Sequence, residues 1–559
     1  MRIALYQMNS IVGDFDSNVN AIIGAMHNAN EQGAQLLVIP ELALCGYYPY
    51  DLLTDPDFMT YTHEAIEHII CMSEKYQHLT TLFGTATLTE CEDGGKPLFN
   101  SCLAIRDGKV IARYNKQLLP TYNIFDERRH FEPGRDSVTI EIDGYTIGLL
   151  ICEDLWWGEN GEYACDPIEA LTFEHSTNLI ISINASPSDF CKKQQRHAIV
   201  GAAASTYETP ILYVNAVGGQ DSLVFDGNSF AVNNEGTVIF EAAQFKDSLE
   251  YIDFCNNEFV EPITNHAVTY DSDAKLAYEQ ITFGLRDYMR KCGFTKVVVG
   301  CSGGVDSALT IALAAHAIGA ANVTAITMPS DLSSEGSVSD SELLCAKLGV
   351  QLLYHTIGKL VTEYISTYYY STATVLTGIA RENVQPRIRG TILMEYSNME
   401  NALLLSTGNK SETSVGYCTL YGDTNGGLNL IGDLYKTEVY TLCAYVNSLH
   451  DCIPEDILTK EPSAELAEGQ KDTDSLPDYE TSDTILKFLI EGTLLSSDEY
   501  LYCRTFVESN SELTTMIKSM IARNEYKRRQ APPIIRLRPR AFGSGRQMPI
   551  AARYRGIVQ

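Results

Sequence analysis

The sequence has no Cys-x-x-Cys pair among its fifteen cysteines, no apolar run of membrane-spanning length, no internal repeat and no low-complexity segment. Scattered thiols in a chain of 559 residues speak against a disulfide framework or a zinc site and point to a reducing compartment. The opening stretch, MRIALYQMNSIVGDFD, lacks the long apolar core of a secretory signal, so the expected location is the cytoplasm. Positive charge is also scarce: 41 Lys and Arg stand against 72 Asp and Glu, a formal net charge of −31. That balance argues against nucleic acid or an anionic membrane as a partner. It leaves room for small anionic substrates, which need only a local basic pocket. Tryptophan is rarest, and both copies, Trp156 and Trp157, lie in LLICEDLWW (149–157), where Cys152 stands between an apolar run and two acids. They are expected to pack in the core, with a pocket wall as the alternative.

The length exceeds what one core serves, so two or more domains are expected. Hydrophobic residues make up 45% and charged residues 20%, an ordinary globular balance. The stretches RIALYQM (2–8), QLLVIPE (35–41), TTLFGTATL, SCLAI, TIGLLICE, NLIISINAS and PILYVNAVGG read as strands, and 17–32 places apolar side chains at helical spacing. Strands apolar on both faces predict sheets covered by helices, an α/β layered architecture. Residues 255–275 carry no clear period and many polar side chains. The pattern then restarts with a helix (276–291), the strand KVVVG (296–300), a Gly-rich turn and an Ala-rich helix (307–318), the opening of a doubly wound domain. The expected divisions are 1–265, a linker at 266–275, and 276–559. Residues 450–485, acidic and proline-containing, are expected to be loop. The last 37 residues carry ten Lys and Arg, a local reversal of charge.

Glu41, Lys116 and Cys152 each follow an apolar strand, and ligand sites in α/β sheets lie at the carboxyl ends of strands. A thiol needs a base or a cation to become a nucleophile, and acyl transfer needs positive charge for the oxyanion. Taken singly, each has a plain alternative: a helix-capping acid, a surface lysine, an inert buried cysteine. The segments LVIPELALCGYYPYDLL, YNKQLLPTYNIFDERRHFEPG, LLICEDLWW and INASPSDFCKKQQR resemble the nitrilase-like amidases, in the branch that hydrolyses glutamine. That resemblance covers about the first 265 residues and implies a four-layer α-β-β-α sandwich. It implies Glu41 as general base, Lys116 at the oxyanion, Cys152 as the thioester-forming nucleophile and Glu127 in support. It also implies Tyr122, Ser186 and Lys192 as holders of glutamine, with Tyr47 and Tyr48 at the pocket rim.

Further on, KVVVGCSGGVDSALTIAL runs strand, Gly-rich turn, helix. Ser302, Gly303, Gly304 and Ser307 would present N–H groups and hydroxyls at a helix N-terminus, an anion cradle, and Asp306 suits magnesium. A plain turn with two glycines is the alternative. The later GLNLIGDLYKT (427–437) has Asp433 where a kinase-type phosphate loop needs lysine, so it fails as one. The full S-G-G-V-D-S resembles the pyrophosphate loop of enzymes that adenylylate a carboxyl or carbonyl oxygen. The segments MPSDLSSEGSVSDSELLCAKLG, ARENVQPRIRGTILMEYSN, LLSTGNKSETSVGYCTLYGDTNGG, EPSAELAEGQKDTDSLPDYE and YKRRQAPP resemble NAD synthetases, and the closing RAFGSGRQMPI resembles the tail of their glutamine-dependent form.

This second resemblance covers nearly the whole chain. It implies an adenine-nucleotide alpha-hydrolase-like second domain, with ATP bound by Gly300, Cys301, Ser302, Gly303, Gly304, Val305, Asp306, Ser307 and Thr407. It implies deamido-NAD bound by Asn383, Glu412 and Lys527, and magnesium at Asp306 and Glu412. Arg387 and Arg389 have the alternative of simple solvation. Two positions depart from the family: Cys301, where an aliphatic residue is usual, and Leu430, where proline is common and where its absence is expected to loosen the turn before Asp433. The implied reaction is hydrolysis of glutamine to glutamate and ammonia, ATP-dependent adenylylation of deamido-NAD, and amidation to NAD with an ammonia channel between the sites. A homo-oligomer is also implied. The alternatives are another pyrophosphate-loop amidotransferase, or a non-catalytic nucleotide-binding derivative.

Overall fold

The computed structural model describes residues 1–89, 95–160, 163–260, 270–463, 465–467, 469–474 and 476–552. The chain divides into two compact units, Met1–Gln220 with Val224–Tyr270, and Asp221–Leu223 with Asp271–Gln559. Of the expected linker, 266–269 lie outside the described residues. Its last residues belong to the helix Asp273–Cys292, which starts three residues earlier than its apolar period suggests because the Ser272 side chain accepts from the Lys275 N–H.

The first unit is built on two sheets. One runs in the order Glu258–Phe259, Ser248–Cys255, Arg2–Gln7, Leu36–Val38, Thr80–Leu88, Leu98–Arg106, Lys109–Asn115. The other runs Val238–Glu241, Phe230–Val232, Ile211–Asn215, Leu179–Asn184, Tyr145–Ile151, Thr139–Ile142. Both have parallel central pairs flanked by antiparallel strands. Strand alternation explains why these strands are apolar on both faces. In the first sheet Ile3, Leu5, Leu36 and Val38 join a core with Leu149, Ile151 and Leu212 of the second. The intervening Ala4 and Leu37 join a separate core with Ile22, Met26 and Ile69 of the helices Phe15–Glu31 and Pro56–Ser73. Val200, Ala204 and Leu171, on the helices Lys192–Thr206 and Pro167–Phe173, complete the first of these cores. The layers are therefore helix, sheet, sheet, helix, as the resemblance implies, with each buried Leu or Ile contributing about 1.5–3 kcal/mol.

The second unit holds a five-stranded sheet, parallel throughout, in the order Gln351–Tyr354, Val323–Thr327, Val297–Gly300, Leu403–Ser406, Leu428–Asn429. Counted along the chain the order is 3-2-1-4-5, the doubly wound arrangement, whose switch point falls between Val297–Gly300 and Leu403–Ser406. Val298, Ile326 and Leu404 pack on Ile392 and Leu393 of the helix Val384–Glu400. The helix Val305–Ile318, nearly all of it buried, follows the first strand. Residues 450–485 are not all loop. The helix Glu455–Thr459 lies within them, and Tyr479–Ile490 begins at 479, where Asp478 accepts from the Thr481 N–H and buries Ile485 and Leu486. The proline at 477 marks the approach to that helix rather than an extended loop.

Candidate active sites

Glu41 lies in the turn that leaves the strand Leu36–Val38, Lys116 follows the strand Lys109–Asn115, and Cys152 opens the 3₁₀ turn Cys152–Leu155 that follows Tyr145–Ile151. Two backbone features bring them close. Gly84, in the strand Thr80–Leu88, passes so near the Glu41 turn that an added Cβ would lie 2.3 Å from Leu42 N and 2.6 Å from Glu41 Cα. Cys152 has φ of 47°, a left-handed conformation that costs a non-glycine residue about 1 kcal/mol and turns the chain sharply off the strand end.

Lys116 Nζ donates to Glu41 Oε1 at 2.7 Å and to Glu127 Oε1 at 2.9 Å, and all three side chains are buried. Asn100 Nδ2 donates to Glu41 Oε1 at 2.8 Å, and the Ala185 N–H donates to Glu41 Oε2 at 2.9 Å. A carboxylate offers about four lone-pair positions. Three are taken, which leaves one on Glu41 for a further proton. Tyr47 OH donates to Glu127 Oε1 at 2.9 Å. Burial, with the charge of Glu41 beside it, pushes the Glu127 carboxyl up to about 7 against the pull of Lys116. Burial would lower Lys116, but Glu127 and Glu41 outweigh it and hold the ammonium firmly protonated. The Cys152 thiol is pushed well above its ordinary value, by burial first and then by Glu41, with Lys116 opposing. At neutral pH the cluster therefore rests as a neutral thiol beside a carboxylate and an ammonium.

The residues expected around glutamine lie in the same unit. Tyr122 OH donates to Glu153 at 2.9 Å, as does Tyr163 OH, so the acid next to Cys152 is held by two phenols. Lys192, the first residue of its helix, sets Nζ 3.9 Å from the centre of the Trp156 ring. Trp156 is buried, as expected of core, and is also a wall against Lys192; Trp157 departs from the expectation and is 40% exposed. Ser186 is fixed by Arg196, whose Nε donates to Ser186 Oγ at 3.1 Å and whose Nη1 pairs with Asp226 at 2.8 Å. Tyr47 and Tyr48 are both buried, and Tyr48 OH meets His130 Nδ1 at 2.8 Å, so they are part of the cluster's support rather than an open rim.

In the second unit, residues 302–307 lie at the switch point, at the N-terminus of the helix Val305–Ile318. Ser302 Oγ and Ser307 Oγ are 3.0 Å apart, and Ser307 Oγ donates to Gly304 O. Gly303 has φ of 76°, and a Cβ there would lie 2.3 Å from Ser337 O, so only glycine fits. Cys301 is buried with the loop intact around it. Gly300, Cys301, Ser302, Val305, Asp306 and Thr407 line a cavity of about 290 Å³. Three cations, Arg389, Lys436 and Lys460, also line it beside the acids Asp306, Asp423, Glu461, Glu465 and Asp472, so the cavity offers cations at particular points and is not the net basic pocket expected. Arg389 is thus a cavity residue, with Nε donating to Met328 O, while Arg387 is exposed.

Asp306 and Glu412 flank one lysine. Lys436 Nζ bonds Asp306 Oδ2 and lies 3.3 Å from Glu412 Oε1, and Asn409 Nδ2 donates to Asp306 Oδ1 at 2.9 Å. Burial, with Asp306 nearby, raises the Glu412 carboxyl to about 8 despite Lys436. Asn383 and Lys527 reach one short segment: Thr419 donates to Asn383 Oδ1 at 2.8 Å, and Lys527 Nζ donates to the carbonyls of Gly416 and Cys418. The turn expected to be loosened by Leu430 is firm. Leu430 is buried, and Asp433 accepts from Lys410 at 2.7 Å and from the N–H groups of Leu537 and Arg538.

Sequence reasoning passed over Asn100, Asp154, Glu153 and Lys436 as participants. Glu153 and Asp154 were visible as the two acids after Cys152. Lys436 was visible inside the stretch set aside as a failed phosphate loop and in GDLYKTEVYTL (432–442), which resembles NAD synthetases, but with no role of its own. Asn100 gave no signal, because its place beside Glu41 depends on strand pairing.

A buried carboxylate, lysine and cysteine at the strand ends of a four-layer sandwich, with a phosphate loop at the switch point of a doubly wound sheet, define a two-part enzyme of carbon–nitrogen chemistry. The carbon–nitrogen hydrolase family matches residues 2–254, and the NAD synthase family matches residues 277–531. The chain is 40% identical to a glutamine-dependent NAD(+) synthetase of Synechocystis sp., covering 98% of each, and 35% identical to one of Thermotoga maritima, covering 99% of each. A solved glutamine-dependent NAD(+) synthetase of Acinetobacter baumannii, in complex with ADP, superposes with a TM-score of 0.76 at 34% identity over 98% of both chains. The chain belongs to the glutamine-dependent NAD(+) synthetases, which are ligases.

Proposed function

We propose that residues 1–265 hydrolyse glutamine and that residues 276–559, after a linker at 266–275, use the ammonia to make NAD from deamido-NAD and ATP. The observation that carries this reading is the buried cluster of Glu41, Lys116 and Glu127 around Cys152, in a chain that also holds the 302–307 loop.

Because the Cys152 thiol rests neutral, its proton passes to the open position on Glu41 as Sγ bonds the side-chain amide carbon of glutamine. Lys116, kept protonated by its two carboxylates, faces the developing oxyanion. Glu41 returns the proton to the leaving nitrogen, ammonia departs, and a glutamyl thioester remains. Water then gives a proton to Glu41 and attacks the thioester, releasing glutamate and the thiol. Glu153, with Tyr122 and Tyr163, suits the α-ammonium of glutamine. Lys192 suits its α-carboxylate, and Ser186, fixed by Arg196, completes the pocket.

In the second unit the carboxylate of deamido-NAD attacks the α-phosphorus of ATP, pyrophosphate leaves, and ammonia then displaces AMP from the acyl adenylate. The loop N–H groups of 302–307 with Lys436, Lys460 and Arg389 hold the phosphates, Thr407 borders the nucleotide, and Asn383, Glu412 and Lys527 hold deamido-NAD. The oxygen donors of Asp306 and Glu412 fit a hard cation, whose charge would favour the ionised form of Glu412. Magnesium bound there would neutralise phosphate charge on the departing pyrophosphate. An enclosed ammonia path is favoured by chemistry, since ammonia released to water at neutral pH becomes unreactive ammonium. Cytoplasmic location and self-association complete the proposal; among the described residues no helix is long and apolar enough to cross a membrane.

Pyrophosphate release tests the reading. With ATP and deamido-NAD it should proceed in the wild type, and NAD should form once glutamine or ammonium is added. Asp306→Asn should stop AMP formation while leaving glutamine hydrolysis measurable. Pyrophosphate release that does not require deamido-NAD would reject this substrate.

A further inference from the structure

Asp154 has no part in the reaction as described, yet it is fully buried between the two functional turns of the first unit. Its Oδ1 accepts from the N–H of Leu118 at 2.9 Å and of Gln117 at 3.2 Å. Its Oδ2 accepts from Tyr114 OH at 2.8 Å and from the Ile151 N–H at 3.0 Å. The donors at 114, 117 and 118 bracket Lys116. The donor at 151 immediately precedes Cys152. All four partners are donors, so the site accepts a carboxylate and nothing that must itself donate. An amide of the same shape would turn an NH₂ toward at least one N–H or O–H, leaving a buried donor opposed.

Neither turn has a regular ladder to hold it at this point. The strand Lys109–Asn115 has ended before Lys116, and Tyr145–Ile151 ends one residue before the left-handed Cys152. The Lys116 N–H bonds Asn100 O, which fixes its backbone to its own sheet, but the two turns belong to different sheets. We propose that Asp154 is a positioning residue that sets the Lys116 ammonium against the Cys152 sulfur by tying both turns to one carboxylate. This rests on the reading of Cys152 as the nucleophile. Beside the Ala185 N–H bond to Glu41, it adds a second tie between the two sheets at the active site, through a side chain that never touches substrate. Misplacement of a reacting group by about 1 Å costs on the order of 10²-fold in rate, which sets the size of the expected effect.

The test uses the full-length protein. Asp154→Asn should lower kcat for glutamine hydrolysis by on the order of 10²-fold, with ammonium-driven NAD synthesis within about twofold of wild type. Tyr114→Phe removes one of the four donors and leaves the fold intact, and should lower the same kcat by a smaller factor. The rate of Cys152 alkylation by iodoacetamide, followed against pH, should shift in both variants, because the charge of Lys116 is no longer held at the same place. A purely structural Asp154 would leave that alkylation profile unmoved and would depress ammonium-driven synthesis together with hydrolysis. Either that pattern or wild-type kcat in Asp154→Asn overturns the proposal. Cys152→Ala, run alongside, separates the two readings: if it still hydrolyses glutamine, the nucleophile assignment fails; if it does not and Asp154→Asn behaves as wild type, only the positioning role fails.

Discussion

At the scale of single residues, the first site works by sharing charge. Lys116 is held between two carboxylates of different duty: Glu41, with one open acceptor position, and Glu127, raised to about 7 by burial and by Glu41. When Glu127 gains a proton, Lys116 is left to Glu41 alone and is no longer held between two carboxylates. Glutamine hydrolysis should therefore fall as pH drops through about 7. Glu127→Gln should erase that limb and lower the plateau by on the order of 10²-fold; a pH–rate profile in which the limb survives unchanged in Glu127→Gln would contradict it. In the second unit, Glu412 holds its proton up to about 8, while an unfolded chain releases it near 4.5. Its contribution to stability is complete below the lower value and is lost as pH rises through the upper one. The unfolding transition of the ligand-free second unit should fall between pH 7 and 9, and by less in Glu412→Gln, as calorimetry can read.

The candidate residues Glu41, Lys116 and Cys152 were legible as reactive types after strand ends, with their proposed roles carried by the resemblance. Their partners were not. Asn100 is an ordinary polar residue until strand pairing sets it beside Glu41, and Lys436 gains meaning only when its helix is placed against Asp306. Long-range pairing, with separations of 59 and 130 residues in these two cases, leaves no trace in a local pattern.

At the scale of elements, two glycines set the limits of the sites. Gly84 lets its strand run beneath the Glu41 turn, and Gly303 lets the phosphate loop pass under Ser337. Gly84→Ala should displace Glu41 and reduce glutamine hydrolysis while ammonium-driven synthesis continues. Gly303→Ala should do the reverse, abolishing nucleotide binding by the second unit; titration calorimetry with ATP reads this directly. The strands were legible because burial on both faces makes each an unbroken apolar run. The helix Tyr479–Ile490 was not, because the acids and proline before it suggest loop, although Asp478 is its cap. The pairing of Arg2–Gln7 with Ser248–Cys255, across nearly the whole first unit, was beyond any local reading.

At the scale of the whole molecule, the excess of acid reaches into the second unit's cavity as well as the surface. The chain carries −31 overall, and the cavity that holds Arg389, Lys436 and Lys460 is also lined by Asp306, Asp423, Glu461, Glu465 and Asp472. Self-repulsion at that net charge should make the fold gain stability from salt, so the first unfolding transition should rise between 20 mM and 300 mM NaCl, order-of-magnitude concentrations that bracket a Debye length of about 10 Å. The joining of two chemistries in one chain is the central claim, and one substitution tests it most directly. NAD formation by Cys152→Ala is measured with glutamine and, separately, with ammonium as nitrogen donor. The account predicts that synthesis from glutamine disappears while synthesis from ammonium persists near the wild-type rate. Synthesis from glutamine that survives the substitution, or loss of both activities together, would contradict it.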